Sequence, residues 1–311
     1  MRSDPIFTSW SPQASALFNN QPIRLEHRLH TMPLFSQEGL AELISRYPRE
    51  HYSLIHMGPQ GVAKKYWREG EIGDLGGHQV IEAIAQGRMW LNLRDVTVVD
   101  ARYRAVLDDM FAELSERIPG FVAPVRSAGI LISSPSAQVY YHADLPGQYL
   151  WQISGKKRIH VYPPTAPFIT SEHLEDIAVH DVEVNMPYES WYEQHAQSYD
   201  LAPGQMLSWP LNAPHRVENL NTVNVSMTVS FVTEDIRRQQ MVHLANGLLR
   251  HRFGLTSLGR ATEGPGFWTK ALLQKVMRQT RWAKRKRIEG RQVNFRLDNT
   301  RLGEIVELKA A

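Results

Sequence analysis

The 311-residue chain contains no cysteine. That absence removes disulfides, thiolate metal sites and cysteine nucleophiles together. No apolar run approaches the roughly 18 residues that a membrane span requires, so none is expected. Residues 1–20 include Asp4, Pro5 and Pro12 without an apolar centre, which argues against a secretory signal and for a cytoplasmic setting. The chain also lacks a G-x-x-x-x-G-K-[ST] phosphate loop, a G-x-G-x-x-G turn after a strand and an H-E-x-x-H helix. A G-x-S-x-G nucleophile elbow is missing as well. Charge of one sign is scarce: 35 basic against 32 acidic residues leave a formal charge of +3. Apolar content of 42% and charged content of 22% are ordinary for a folded protein. The length suits one large barrel with helical additions, or two small domains.

What is present is a pair of short motifs. The first is Tyr140-Tyr141-His142-Ala143-Asp144, and the second is Pro214-His215-Arg216-Val217-Glu218-Asn219. Alternate side chains of a strand share a face, so H-x-D aims His142 and Asp144 the same way. A histidine from a distant strand, His215, then completes two imidazoles and one carboxylate. Non-haem Fe(II) oxygenases use this donor set, with the remaining positions open. By itself H-x-D is a weak signal, because a lone strand histidine is commonly a hydrogen-bonded core residue. Ligand type also leaves Fe(II), Mn(II), Ni(II) and Zn(II) all open.

Between the motifs runs Gln152-Ile153-Ser154-Gly155-Lys156-Lys157-Arg158-Ile159-His160-Val161-Tyr162-Pro163-Pro164. A lysine cluster can simply protect a strand edge, yet alternation turns one of Lys156 and Lys157 inward. His160 has the parity opposite to Lys157 and reads as structural. The later run Leu201-Ala202-Pro203-Gly204-Gln205-Met206-Leu207-Ser208-Trp209-Pro210, then Ala213-Pro214-His215, forms a turn and strand leading to the second histidine. Over about residues 120–233 these segments resemble the JmjC and cupin-like (cupin 8 type) 2-oxoglutarate oxygenases, the group that includes the asparaginyl hydroxylase acting on hypoxia-inducible factor. The resemblance implies a double-stranded β-helix (jelly-roll) barrel with Fe(II) held by His142, Asp144 and His215. It further implies 2-oxoglutarate as cosubstrate, with Lys157 on its distal carboxylate, and O2 as oxidant. The implied activity is that of a dioxygenase, hydroxylating a protein or peptide side chain or a small molecule.

Departures from the family pattern shape the remaining expectations. Relatives often carry Ser or Thr three residues before the first histidine; Val139 stands here, which leaves Tyr140 or a polar residue on another strand to take that role. Gln148 stands where relatives often have Asn near the cosubstrate. In the last barrel run, Ser226, Thr228 and Ser230 alternate with Met227, Val229 and Phe231. One face is therefore polar, which fits a strand lining a ligand cavity. Ser230 stands fifteen residues after His215, where relatives often place a polar cosubstrate contact, and with Thr228 on the same face the resemblance makes both candidate cosubstrate contacts. Two other readings stay open: a cupin-type metalloenzyme indifferent to 2-oxoglutarate, and a non-catalytic binding or regulatory module.

The organisation expected is a mainly β barrel flanked by helices: an N-terminal helical or irregular region over 1–120, a barrel core over 121–233 with an insertion at 164–198, and a C-terminal helical region over 234–311. Ser36 and Asp100 mark helix starts, a further helix runs from Glu234 to Arg252, and Gly87 and Gly254 mark ends. Ten histidines besides His142, His160 and His215 show no ligand spacing. The insertion, with Tyr188, Trp191 and Tyr192, either contacts substrate or covers the barrel side. A C-terminal helix from about Phe267, with Leu272, Val276 and Met277 expected inward, runs into a basic segment over 270–287. That segment reads as a solvated helix end favoured by the macrodipole, with nucleic-acid contact as the alternative. The resemblance also allows a homodimer through the C-terminal helices.

Overall fold

The computed structural model describes residues 4–58, 67–180, 186–279 and 292–308. In chain order the helices are α1 (Pro12–Leu17), α2 (Gln37–Ser45), α3 (Gly77–Gln86), α4 (Val96–Val99), α5 (Ala101–Arg117), α6 (Ser171–His180), α7 (Glu234–Phe253) and α8 (Gly264–Gln279). The strands are β1 (Ile23–Glu26), β2 (Tyr52–His56), β3 (Arg68–Glu71), β4 (Met89–Leu93), β5 (Val125–Ser133), β6 (Gln138–His142) and β7 (Gly147–Ser154). They continue with β8 (Lys157–Val161), β9 (Gln197–Leu201), β10 (Gln205–Ser208), β11 (His215–Asn219), β12 (Asn224–Val232), β13 (Val293–Leu297) and β14 (Ile305–Glu307).

Helix limits follow local chemistry. The Ser36 hydroxyl accepts from the Gly39 amide and starts α2, and the Asp100 carboxylate accepts from the Arg102 amide and starts α5. The Thr233 hydroxyl accepts from the Ile236 amide at the head of α7. That helix ends at Gly254, whose φ of 66° is left-handed and suits glycine. On α5, Tyr103, Val106, Leu107, Met110, Phe111 and Leu114 all lie inward at helical spacing.

The strands divide between two sheets. The larger has ten strands in the order β1-β10-β7-β12-β5-β4-β2-β3-β13-β14, the smaller four in the order β6-β11-β8-β9. From β5 to β8 successive strands alternate between the sheets, and β10, β11 and β12 alternate again. The fold is thus mainly β with flanking helices, consistent with a JmjC or cupin-type fold. The two faces of the larger sheet do different work. Met227, Val229 and Phe231 of β12 join Tyr149, Trp151, Ile130 and Ile132 in the main apolar core, which packs against α2, α3 and α5. Ser226, Thr228 and Ser230 point the other way, toward the smaller sheet.

Several elements differ from the sequence expectation. Residues 1–120 supply β1 to β4 to the larger sheet in addition to helices, and β13 and β14 close its far edge. β1 and β3 are short and carry charged residues, so no local pattern announces them; β1 pairs with β10 and β3 with β13, both remote in sequence. On α8, Leu272 and Val276 are 63% and 51% exposed instead of inward, and Trp268 of the same stripe is 62% exposed. Phe267 is buried in their place. The side chains of Met277 and Arg278, and residues 280–287 of the basic segment, lie outside the described residues.

The insertion packs on the outer face of the smaller sheet. Tyr192 and Phe168 join Tyr141 and Tyr162 in one cluster, with Tyr141 and Tyr162 ring centroids 4.9 Å apart. Glu193 accepts from the Tyr162 hydroxyl at 2.6 Å and takes Arg216 in a two-pronged pair at 2.8 and 2.9 Å. The Arg216 guanidinium, with the tyrosine hydroxyls, holds the Glu193 carboxyl at about 2. His160 faces this network, 3.0 Å from Glu218 and 2.8 Å from Ser198.

Candidate metal centre and cavity

Strand pairing brings the two histidines together. His142 ends β6 and His215 begins β11, and they are direct partners across the antiparallel ladder. Directly opposed side chains in such a ladder are close neighbours, and the imidazole centroids lie 4.2 Å apart. Asp144 follows two residues later, past the end of the strand. Its Oδ2 is 3.5 Å from His215 Nε2 and 3.9 Å from His142 Nε2. One donor atom from each residue lies within 4.8 Å of the other two.

Each imidazole is oriented by its second nitrogen. His142 Nδ1 bonds the Tyr140 carbonyl at 2.7 Å, and His215 Nδ1 bonds the Ala213 carbonyl at 3.1 Å. A carbonyl can only accept, so Nδ1 carries the proton and Nε2 presents a lone pair toward Asp144. Burial, together with the neighbouring His142, holds the His215 pKa well below its ordinary value and keeps the ring neutral. Two neutral imidazoles and one carboxylate are a good donor set for a first-row divalent ion. Gaps of 3.5 and 3.9 Å sit slightly outside the separation of about 3 Å expected for adjacent donors bound at about 2.1 Å. The residues present therefore fit such an ion.

The register between β6 and β11 slips between these residues: His215 faces His142, but Val217 faces Val139. The extra residue on β6 is a β-bulge, a device that re-aims side chains. It puts Val139 and His142 on the same side although they are an odd number apart. Val139 lines the cavity beside the triad. Tyr140 is not among the lining residues; its ring stacks on Trp67 at 5.4 Å and its hydroxyl accepts from Gln138.

The cavity has a volume of about 280 Å³ and lies between the two sheets. His142, Asp144, His215 and Lys157 all line it, as do Gln148, Thr228 and Ser230. Gln148 and Ser230 are cross-strand partners on β7 and β12. Lys157 is only 1% exposed, and its ammonium donates to the Ser226 hydroxyl at 2.8 Å. Ser226 donates onward to Gln152 Oε1, whose amide nitrogen reaches Asn224. No carboxylate among the described residues forms an ion pair with Lys157, and burial lowers its pKa to about 7.

Some contributors are not evident from the motifs. Trp90 and Asn92 line the cavity from β4, whose other residues Met89, Leu91 and Leu93 are in the main core. That clean alternation was a usable signal. Asn212 donates its amide to the Asp144 backbone carbonyl at 2.6 Å from a left-handed conformation with φ of 60°. This bond ties the loop before His215 to the loop after His142. The Trp209 ring stands 4.8 Å from His215 and covers one side of it.

The sequence matches no family model and no curated protein. Among solved structures, the fold is similar to that of YcfD from Escherichia coli. One X-ray structure of YcfD is 16% identical, with a TM-score of 0.51 over 89% of this chain and 70% of that one. Another, described as a ribosomal oxygenase in complex with cobalt and 2-oxoglutarate, is 16% identical with a TM-score of 0.50 over 94% of this chain and 75% of that one. A third YcfD structure is 14% identical, with a TM-score of 0.50 over 97% and 86% of the two chains. What is shared at this identity is the fold.

Proposed function

We propose that this chain is an Fe(II)- and 2-oxoglutarate-dependent oxygenase of the JmjC/cupin type, acting on a protein substrate. The observation that carries the reading is the meeting in one cavity of a two-histidine, one-carboxylate cluster with a buried lysine that has no acidic partner among the described residues. An isolated buried ammonium is costly unless an anion joins it. A dicarboxylate that reaches both the metal and Lys157 supplies that anion. YcfD, similar in fold, binds cobalt and 2-oxoglutarate and is a ribosomal oxygenase, which supports both the cosubstrate and a protein substrate.

In this reading β5 to β12 form the double-stranded β-helix, residues 1–120 buttress it, and 234–311 are a C-terminal addition. His142, Asp144 and His215 hold the iron through Nε2, Oδ2 and Nε2, and the backbone carbonyls of Tyr140 and Ala213 fix the two rings. Bound iron supplies the redox chemistry that couples oxidative decarboxylation of 2-oxoglutarate to hydroxylation of substrate. Lys157 binds the distal carboxylate, with Ser226 and Gln152 fixing the ammonium. Gln148, Thr228 and Ser230 offer further polar contacts to the cosubstrate, while Tyr140 positions His142 through its carbonyl. Val139, Leu131, Leu150 and Val217 keep the cavity apolar elsewhere and exclude water from the reacting groups. The exposed Trp268, Leu272 and Val276 stripe on α8 is the surface through which a second copy would pack.

The test is succinate formation by purified protein with Fe(II), ascorbate, O2 and 2-oxoglutarate. Turnover that His142→Ala and Lys157→Ala both abolish is the expected result. Metal binding without any 2-oxoglutarate binding to the Mn(II)-loaded protein would refute the cosubstrate assignment.

A further inference from the structure

Outside the cavity, the described residues contain one other group of three metal-competent donors within 4.8 Å of one another: Asp176, His180 and His251. Asp176 and His180 are four residues apart on α6, hence on one face and one turn apart. His251 comes from the last turn of α7. The two helices approach closely because α7 carries Gly247 at the crossing, where a Cβ would fall 2.6 Å from the Val179 side chain and 2.7 Å from the Glu175 carbonyl.

The bonding around His180 is already that of a ligand. His180 Nδ1 bonds the Asp176 backbone carbonyl at 2.9 Å, so its proton sits there and Nε2 is left with a lone pair. His251 Nε2 lies 2.7 Å from Asp176 Oδ1, with one proton between them that a metal ion can replace. The two rings stand nearly perpendicular, 5.2 Å between centroids. The nearest guanidiniums are otherwise engaged: Arg250 pairs with Glu175 at 2.8 Å and Arg260 with Glu172 at 2.8 Å. The Asp176 carboxylate is thereby left to the imidazoles. His251 lies in the closing turn of α7, and the negative end of that helix dipole favours a cation there.

We infer that Asp176, His180 and His251 form a second metal site, taking a borderline divalent transition ion such as Zn(II) with water as the fourth ligand. The ion clasps α6, which belongs to the insertion over the smaller sheet, to the C-terminal helix α7. This proposal is independent of the oxygenase reading, because it shares no residue with the cavity. It also corrects the sequence expectation that the other histidines lack ligand spacing: Asp176-x-x-x-His180 is a helical ligand pair whose partner is remote in sequence.

Zn(II) titrated against a chromophoric chelator separates the two sites. Wild type is expected to bind two equivalents, and the His142→Ala/His215→Ala protein one. Adding His180→Ala or His251→Ala to that protein is expected to weaken the remaining site at least about tenfold, as loss of a ligand should exceed loss of an orienting partner. Both imidazoles are exposed, so circular dichroism should stay unchanged. Zn(II) should also raise the Tm of the cavity variant, and this rise should vanish with His251→Ala. As a check that does not depend on the cavity variant folding, His180→Ala/His251→Ala alone should bind one equivalent. Zn(II) binding to the cavity variant that survives removal of both His180 and His251 overturns the proposal, as does a cavity variant that binds no Zn(II) at micromolar concentration.

Discussion

Replacing Lys157 by methionine should make the protein more stable and less able to bind its cosubstrate. The ammonium is 1% exposed with one hydrogen bond, to Ser226, and burial lowers its pKa from 10.5 to about 7. The unfolded chain keeps the ordinary value, so at pH 7 it binds a proton that the folded chain holds only about half the time. By linkage this lowers folding stability at pH 7 by on the order of 4 kcal/mol. Methionine has similar length, no charge and adaptable packing. Against the gain stands the lost Lys157–Ser226 bond, worth about 1 kcal/mol because Ser226 still donates to Gln152. Repacking costs up to about 1.5 kcal/mol more. The net expectation for Lys157→Met is a gain of roughly 1–3 kcal/mol in urea denaturation at pH 7, at unchanged m value.

The sign of the pH dependence is fixed by the same shift. A folded pKa below the unfolded one means the penalty is fully present below about pH 7 and fades as pH rises toward 10.5. The stability gap between variant and wild type should therefore narrow over that range. Calorimetry of 2-oxoglutarate binding to the Mn(II)-loaded variant should show the opposite effect. A ligand carboxylate buried without its cation costs about 3–5 kcal/mol, which weakens binding on the order of a hundredfold or more. A variant no more stable than wild type at pH 7, or one that binds 2-oxoglutarate within about tenfold of it, would refute this reasoning.

Three further outcomes are expected. Asn212→Gly keeps the left-handed backbone but removes the bond to the Asp144 carbonyl, so Mn(II) affinity should fall about 10- to 100-fold with Tm nearly unchanged; an affinity within threefold or so would show the tether is idle. Trp151→Ala empties a fully buried site on the core face of β7, against Phe7 and His27. It should cost about 3–5 kcal/mol in denaturant while turnover per folded molecule is retained. Leu272→Glu, at a position 63% exposed, should change stability by less than about 0.5 kcal/mol and shift any self-association toward monomer in sedimentation velocity.

The parts of the site that the sequence discloses are those whose signal is short-range. His142 and Asp144 are two residues apart, and the polar face of β12 is a plain alternation. Parity within one strand turns one of Lys156 and Lys157 inward, and the family resemblance picks Lys157. What stays hidden depends on pairing between distant segments. The bulge on β6 shifts the face of Val139 and Tyr140 by one residue, and nothing in Tyr140-Tyr141 announces it. Asn212 acts on Asp144 across two loops. β1 pairs with β10, and β3 with β13, so these short charged strands exist because of their partners. The stripe on α8 reads as inward by composition, yet in the isolated chain no described element covers it.

The arrangement of cores explains how a polar cavity can sit at the centre of this fold. The main apolar cluster lies on the outer face of the larger sheet, between Tyr149, Trp151, Met227, Val229 and Phe231 and the N-terminal helices. A smaller cluster around Ile159, Val161, Leu201 and Trp209 closes one part of the space between the sheets. Alternation along β7 and β12 therefore assigns one set of side chains to stability and the other to ligand chemistry. Gln148, Thr228, Ser230 and Lys157 can carry polar groups at the cavity because the residues between them anchor the same strands elsewhere. Substitutions on the two faces should separate accordingly: core-face changes lower the denaturation midpoint, and cavity-face changes alter ligand affinity.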